Sequence, residues 1–170
     1  VAIAPEEERA VQDLDMMYVF GAGESAMASR FVSAALYEKV LRQGKWHAVW
    51  NKIRRRDNHL RDLAHLDGAS ERKPARSAGV VNVPLSRIVG SEGRVRDFDR
   101  EFRPLSEHTR ERWIGIAAAR RNRVALPPVE LIQVGDSYYV RDGHHRISVA
   151  RAAGQVEIES RIAHALAIGG

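Results

Sequence analysis

The sequence of 170 residues contains no cysteine, few aromatic residues (6%) and no apolar run long enough to span a bilayer. The absence of cysteine excludes disulfides, thiolate nucleophiles, cysteine-ligated zinc and iron–sulfur clusters. A membrane span needs about 20 apolar residues, and the acidic start PEEER lacks the basic region of a secretory signal. We therefore expect a cytoplasmic protein without a membrane partner.

Positive charge is concentrated in one stretch of the chain. The formal net charge is +5, yet residues 39–61 alone hold eight Lys or Arg against the single acid Asp57. Such a stretch attracts phosphate backbones, and the candidate nucleic-acid contacts are Lys52, Arg54, Arg55 and Arg56. A solvated helix face, a membrane surface and a protein partner are the alternatives.

Residues 1–66 show the periodicity of a helical, basic N-terminal segment. We predict one helix over 24–43 that ends at Gly44, and a second helix directly after it. The apolar residues comprise Met27, Phe31 and Ala35 in the first helix, with Leu36 and Val40 close by, then Trp46, Val49, Trp50 and Ile53 in the second. The helical spacing of Leu60, Leu63 and Leu66 predicts that helical structure continues as far as Leu66.

Residues 67–79 collect Gly, Ser, Pro and charge, as is typical of an exposed linker. The pattern of residues 80–170 is then mixed. First come a strand at VVNVPL and a charged loop, SEGRVRDFDREFRP, which we expect outside the core. A helix over about 107–121 follows, and then a hairpin VELIQV–SYYVR that turns at Gly135-Asp136. The last elements are a helix over about 145–153 and a strand at VEIESRI. This order predicts an α+β (mixed α/β) domain preceded by the α-helical N-terminal segment.

The stretch DGHHR joins a predicted strand directly to a predicted helix. The first-turn N–H groups of such a helix are unpaired and attract anions. Gly143 permits positive φ, Arg146 offers a fork of donors, and His144 and His145 can donate further hydrogen bonds. A bound phosphate would raise the pKa of both histidines by favouring the imidazolium. The stretch therefore predicts a phosphate-binding turn.

Simpler interpretations of this stretch stay open. Asp142 could only cap the helix, Gly143 could only form a turn, and the histidines could be ordinary polar surface residues. A metal site is not expected, because adjacent histidines diverge in direction and no spaced ligand is evident.

Residues 81–162 resemble the ParB/sulfiredoxin superfamily, which includes ParB N-terminal domains and archaeal free serine kinases. The resemblance is carried by VPLSRIVGSEGR, ERWIGIAAARRNRVALPPVELI and GDSYYVRDGHHRISVARAAGQ. The last segment is similar to the ParB phosphate-binding box: Gly143 and Arg146 match its ends, while His144 and His145 replace its Glu and first Arg. Sulfiredoxins have Gly-Cys-His-Arg here, so His144 stands in place of the catalytic Cys, and sulfinic-acid repair is not expected.

The resemblance implies that the chain binds a nucleotide, CTP or ATP/ADP, together with Mg²⁺. Occupancy would then alter how the basic N-terminal helices meet DNA or a protein partner, and a homodimer stays open. The DGHHR form is similar to that of the free serine kinases, which implies a phosphotransferase or NTPase as the alternative. The candidate bases are Glu92 and Asp142, and Arg94 and Arg96 are candidate phosphate ligands. A DNA-binding or nuclease-like module is the second alternative, although no carboxylate cluster supports cleavage.

Overall fold

A computed structural model of the chain describes residues 26–55, 57–66, 72–74 and 79–166. The helices and strands, in chain order, are α1 (Ala26–Ile53), β1 (Arg61–Asp62), β2 (Arg72–Pro74), β3 (Val80–Pro84), β4 (Ile88–Ser91), α2 (Arg110–Arg121), β5 (Val129–Val134), β6 (Ser137–Asp142), α3 (His144–Ala152) and β7 (Glu157–Leu166). Short 3₁₀ turns occupy Leu63–His65, Leu85–Arg87 and Glu107–Thr109.

In the described part of the chain the strands form one mixed sheet of seven strands, in the order β1-β4-β6-β5-β7-β2, with β3 also paired to β7. The pairs β1–β4, β4–β6 and β5–β7 are parallel, whereas β5–β6, β3–β7 and β2–β7 are antiparallel. This confirms the predicted α+β class with a preceding helix. Because β4 and β6 are parallel, the segments that follow them meet at the same edge of the sheet.

The helices pack on one face of the sheet through two apolar clusters. Ile147 and Ala150 of α3 pack against sheet residues that include Leu131 and Val140. On the other side of α3, the second cluster joins it to α1 and α2 and comprises Tyr37, Leu41, Trp113, Ile114, Ala117 and Val149. A third cluster, built on Leu63, Ile132, Val134 and Tyr139, covers part of the opposite face.

The long helix α1 is unbroken, so the predicted stop at Gly44 is wrong. Gly44 is buried, and a Cβ there would lie 2.8 Å from the carbonyl oxygen of Pro104. The glycine permits a close approach between α1 and the segment before α2 rather than a helix end.

Of the predicted apolar residues of this region, Val40 is buried and Leu36 is partly buried, but the others do not enter the core. Met27 and Phe31 are 81% and 71% exposed, and Trp46, Val49, Trp50 and Ile53 are also exposed. The buried side of α1 comprises Ser29, Ser33, Tyr37, Val40, Leu41 and Gly44. Serine can line this face because its hydroxyl finds partners: Ser33 Oγ donates to the carbonyl oxygen of Ser29 at 2.7 Å.

Two further predictions need correction. The leucine spacing after Asn58 does not form a helix, because Arg61–Asp62 pairs with β4 and a 3₁₀ turn follows. The charged loop before α2 does enter the core, with Phe98 and Phe102 both 0% exposed. Burial of the two aromatic rings is favourable enough to draw this segment into the core, while its charged side chains remain near the surface or pair with each other.

The predicted linker contributes a strand, since Arg72–Pro74 pairs with β7; residues 67–71 and 75–78 lie outside the described residues. The predicted strands β3 and β7, the β5–β6 hairpin and the helices α2 and α3 are confirmed. Strand β4 was not predicted.

Candidate functional site

The turn between β6 and α3 requires glycine for two reasons. Gly143 has φ of +103°, a conformation that L side chains rarely adopt. A Cβ at this position would also lie 2.5 Å from Cγ1 of Val129. The buried turn delivers the chain into α3 with no side-chain cap on the first turn, so Asp142 does not act as the predicted cap.

The first intrahelical amide of α3 to find an acceptor is that of Ile147, which donates to the carbonyl oxygen of Gly143 at 3.0 Å. The preceding amides of His144, His145 and Arg146, in the first turn of this nine-residue helix, have no hydrogen-bond acceptor within the described part of the chain. Together with the helix dipole they favour a negative group at this end.

Both histidines of the turn are buried, 5% and 7% exposed, which excludes the interpretation that they are ordinary surface residues. Phe98 stacks on His144 with ring centroids 6.2 Å apart and meets His145 edge-on at 5.3 Å. Burial, assisted by the nearby Arg94, lowers the pKa of His144 to about 4. Burial, assisted by Arg112 and Arg94, also lowers the pKa of His145 to about 4. Both rings are therefore neutral at physiological pH.

Ser91 links the loop after β4 to His144. Its hydroxyl oxygen accepts hydrogen bonds from the amides of Gly93 at 3.1 Å and Arg94 at 3.0 Å, and it lies 2.7 Å from His144 Nε2. The same hydroxyl donates to the carbonyl oxygen of Val140 at 3.4 Å, so Ser91 connects the loop after β4 to both β6 and His144. Ser91 was not singled out from the sequence. The only signal for it in the sequence is its position directly after the apolar residues of β4.

His145, the second histidine of the turn, has one ring nitrogen without a hydrogen-bond partner in the described part of the chain. Nε2 of His145 is buried and has no hydrogen-bond partner among the described residues. A buried polar atom of this kind in a folded protein calls for a partner, such as water or a ligand.

Three basic groups surround the start of α3. Arg94 and Arg112 both lower the pKa of His145, and His108 contributes in the same direction. Asp97 partly balances them, because it lies 3.5 Å from Arg94 Nη1 and 3.7 Å from His108 Nε2. Arg112 and His108 were missed from the sequence because they belong to the region of α2, far along the chain from DGHHR.

Arg146 does not present an open fork of donors. Its Nη1 donates to the carbonyl oxygens of Pro127 at 2.5 Å and Pro128 at 3.1 Å, and its Nη2 donates to Asp142 at 2.5 Å. With its side chain only 13% exposed, Arg146 ties α3 to the segment before β5. These hydrogen bonds use three of the five N–H donors of the guanidinium.

Of the other residues predicted for the site, Glu92 lies beside Ser91 and Arg96 lies apart from the turn. Glu92 follows Ser91 at the edge of the sheet, and its amide donates to the carbonyl oxygen of Val140 at 2.9 Å. Its carboxylate lies 3.8 Å from Arg141 Nε. Arg96 is exposed, and no contact of its side chain with a described residue of the turn is present.

The predicted nucleic-acid residues lie on a different element. Lys52 is exposed in the last turn of α1, and Arg54 and Arg55 are exposed just after it. The guanidinium of Arg54 lies 5.4 Å from the ring centroid of Trp50, as in a cation–π contact. Arg56 lies outside the described residues.

No group of three or more His, Cys, Asp or Glu side chains that could hold a metal ion is present within the described residues. In the same part of the chain, no helix combines the length and the apolar character needed to cross a bilayer.

No protein-family model and no curated protein matches the chain. Among solved structures, the chain is similar to sulfiredoxin from Arabidopsis thaliana, with 23% sequence identity and a TM-score of 0.37. The similarity covers 49% of this chain and 83% of the sulfiredoxin chain.

Proposed function

We propose that the chain binds the phosphate groups of a nucleotide, of the ATP or CTP class, at the N-terminus of α3. The observation that carries the proposal is the conjunction of free first-turn amides with the unpartnered, buried Nε2 of His145. Helix N-termini that follow a strand and a glycine are common phosphate sites, since amides and dipole act on the same anion.

The surrounding charges support a phosphate rather than a neutral ligand. Arg94 and Arg112 approach the start of α3 from two different elements, the loop after β4 and helix α2. Burial is the main cause of the low pKa of His145, and repulsion by Arg112 and Arg94 adds to it. A phosphate between these arginines would attract the imidazolium and would raise that pKa. We expect Mg²⁺ to accompany the nucleotide, with Asp97 as a nearby carboxylate.

The test is a thermal-shift and calorimetric titration with ATP, ADP and CTP, each with and without Mg²⁺. A nucleotide at 100 times its dissociation constant should stabilise the protein by about 2.7 kcal/mol. The double variant Arg94→Gln/Arg112→Gln should lose most of this shift. The control is Arg87→Gln: Arg87 is exposed and precedes β4, and therefore lies at the opposite edge of the sheet.

Unchanged melting curves with all three nucleotides would refute nucleotide binding. A shift that Arg87→Gln removes as completely as the double variant would show that only net charge matters.

The second candidate is phosphotransfer to a small acceptor, with Glu92 as the base. It is favoured by the position of Glu92, one residue after the serine that contacts His144. Glu92→Gln should then abolish phosphate transfer and leave nucleotide affinity within about twofold, because a general base contributes about 10²–10⁴-fold to the rate. Retention of transfer in Glu92→Gln would exclude this role.

A further inference from the structure

A separate cavity of about 810 Å³ lies between α1 and the C-terminal half of α3. Its walls come from α1, the 3₁₀ turn before β4, the loop before α2 and the last turn of α3. Pockets that hold small molecules have volumes of roughly 300–1,000 Å³. Gly143, His144 and His145 are not among the lining residues, so this cavity is distinct from the turn described above.

The cavity is lined by more positive charge than its own acid can balance. Arg151 pairs with Glu101 at 3.2 Å, and Arg103 pairs with the buried Asp99 at 3.2 Å. Three further basic side chains line it without an acidic partner in the described part of the chain: Lys39, Arg61 and Arg100. They belong to three different elements, α1, β1 and the loop before α2.

Arg151 is fixed in place at the wall of this cavity. Its Nη2 donates to the carbonyl oxygens of Leu85 at 2.7 Å and Ile88 at 3.0 Å, and its guanidinium lies 5.1 Å from the ring centroid of Phe102. Its Nε is buried and has no hydrogen-bond partner among the described residues. A guanidinium held in place in this way presents a fixed positive charge at the wall of the cavity.

The cavity also has an apolar part. Leu36 and Val40 of α1 and Phe102 of the loop before α2 contribute to its walls. A ligand that matches both parts carries at least two negative charges and a compact apolar body. We infer that this cavity binds a small organic dianion, independently of the nucleotide proposed for the start of α3.

Phosphate esters and dicarboxylates share this chemistry, and two matched probes distinguish them. Phenyl phosphate and phthalate are both aromatic dianions at neutral pH and differ in the anionic group. We would titrate each into the full chain by calorimetry at low ionic strength, where screening of the charges is weakest. At least one probe should bind with a saturable heat, and the tighter one identifies the anionic group.

Variants assign the heat to the cavity. Arg61→Gln/Arg100→Gln should weaken binding by roughly tenfold or more, because charge-assisted hydrogen bonds to the probe are removed. Gln43→Trp keeps every charge and should block binding by filling the space from α1. Arg161→Gln removes a charge from an exposed residue of β7 that does not line the cavity, and should bind normally.

The inference is overturned if neither probe binds or if the Arg61/Arg100 variant binds as the unaltered chain does. It is also overturned if Gln43→Trp retains full affinity, since the charges would then act from the surface alone. Loss of probe binding only in Arg94→Gln/Arg112→Gln would place the ligand at the start of α3, and would leave the nucleotide proposal standing while this one fails.

Discussion

At the level of single residues, Gly143 is constrained both by its backbone angle and by the space around it. Gly143→Ala places a Cβ 2.5 Å from Val129 Cγ1 at φ of +103°, and we expect a loss of stability of roughly 2–4 kcal/mol. Gly154 also has positive φ, +70°, but a Cβ there meets nothing within 4 Å. Gly154→Ala is therefore the matched control, with an expected cost of about 1 kcal/mol. Chemical denaturation measures both; equal costs would contradict the steric argument.

The buried histidines make stability depend on pH. The pKa of His144 is lowered from 6.5 to about 4, so the unfolded chain binds a proton between these values that the folded chain does not. Stability from this source is complete above about pH 6.5 and is lost as the pH falls towards 4. Full protonation of His144 corresponds to about 3 kcal/mol, and His145 acts in the same direction.

Denaturation at a series of pH values between 4 and 7 measures this loss. His144→Gln/His145→Gln should flatten the profile across that window, and an unchanged slope would contradict the assignment. Asp99 changes stability in the opposite direction, because burial raises the pKa of its carboxyl. As the pH falls, the folded chain binds this proton before the unfolded chain does, and the folded state gains stability.

The sequence predicted the glycine turn and the free helix end but not the burial of the histidines. Local residue types determine the turn, whereas burial depends on Phe98, which lies in a segment whose charges suggested a surface loop. Arg112 could not be predicted because its approach to His145 depends on how α2 packs against α3.

At the level of elements, two helical glycines differ in their surroundings. A Cβ at Gly44 of α1 would meet the carbonyl oxygen of Pro104 at 2.8 Å, whereas a Cβ at Gly115 of α2 meets nothing within 4 Å. Ala is favoured over Gly in helices by about 1 kcal/mol. Gly115→Ala should therefore stabilise the protein by up to about 1 kcal/mol, and Gly44→Ala should destabilise it by about 1–3 kcal/mol. Thermal unfolding of the pair compares them; stabilisation by both would refute the close approach.

Periodicity predicted the existence of α1 but assigned the wrong face to the core. Ser29 Oγ donates to Asn122 Oδ1 at 2.5 Å, and Tyr37 OH donates to the carbonyl oxygen of Ser106 at 3.0 Å. These hydrogen bonds to distant residues make a serine-rich face the buried one, and a hydrophobicity pattern does not register them. In contrast, α2 was predicted well because Trp113 and Ala117 lie on its buried face and Ser106 caps the 3₁₀ turn that leads into it.

At the level of the whole molecule, the exposed basic residues at the end of α1 provide a test of DNA binding. If duplex DNA binds here, its affinity should fall steeply with salt. Lys52→Gln/Arg54→Gln/Arg55→Gln should then reduce the slope of log affinity against log salt by about 1 for each basic side chain that pairs with a phosphate. Fluorescence anisotropy with a labelled duplex measures the slope. Retention that does not depend on salt would point to a protein partner instead.

The overall class could be predicted because strands and helices alternate clearly between residues 80 and 166. The order of the strands could not, because the pairing of β1 and β2 with distant strands depends on tertiary packing that no local pattern specifies.

The position of β7 governs when the sheet can form during synthesis. This strand pairs with β5 on one side and with β2 and β3 on the other. While residues 157–166 are still inside the ribosome, the nascent chain therefore exposes the open flank of β5, and β3 lacks its neighbour. Consequently, the sheet is completed only after this segment emerges from the ribosome. Until then, a chaperone that binds unpaired strand edges could cover the edges of β5 and β3.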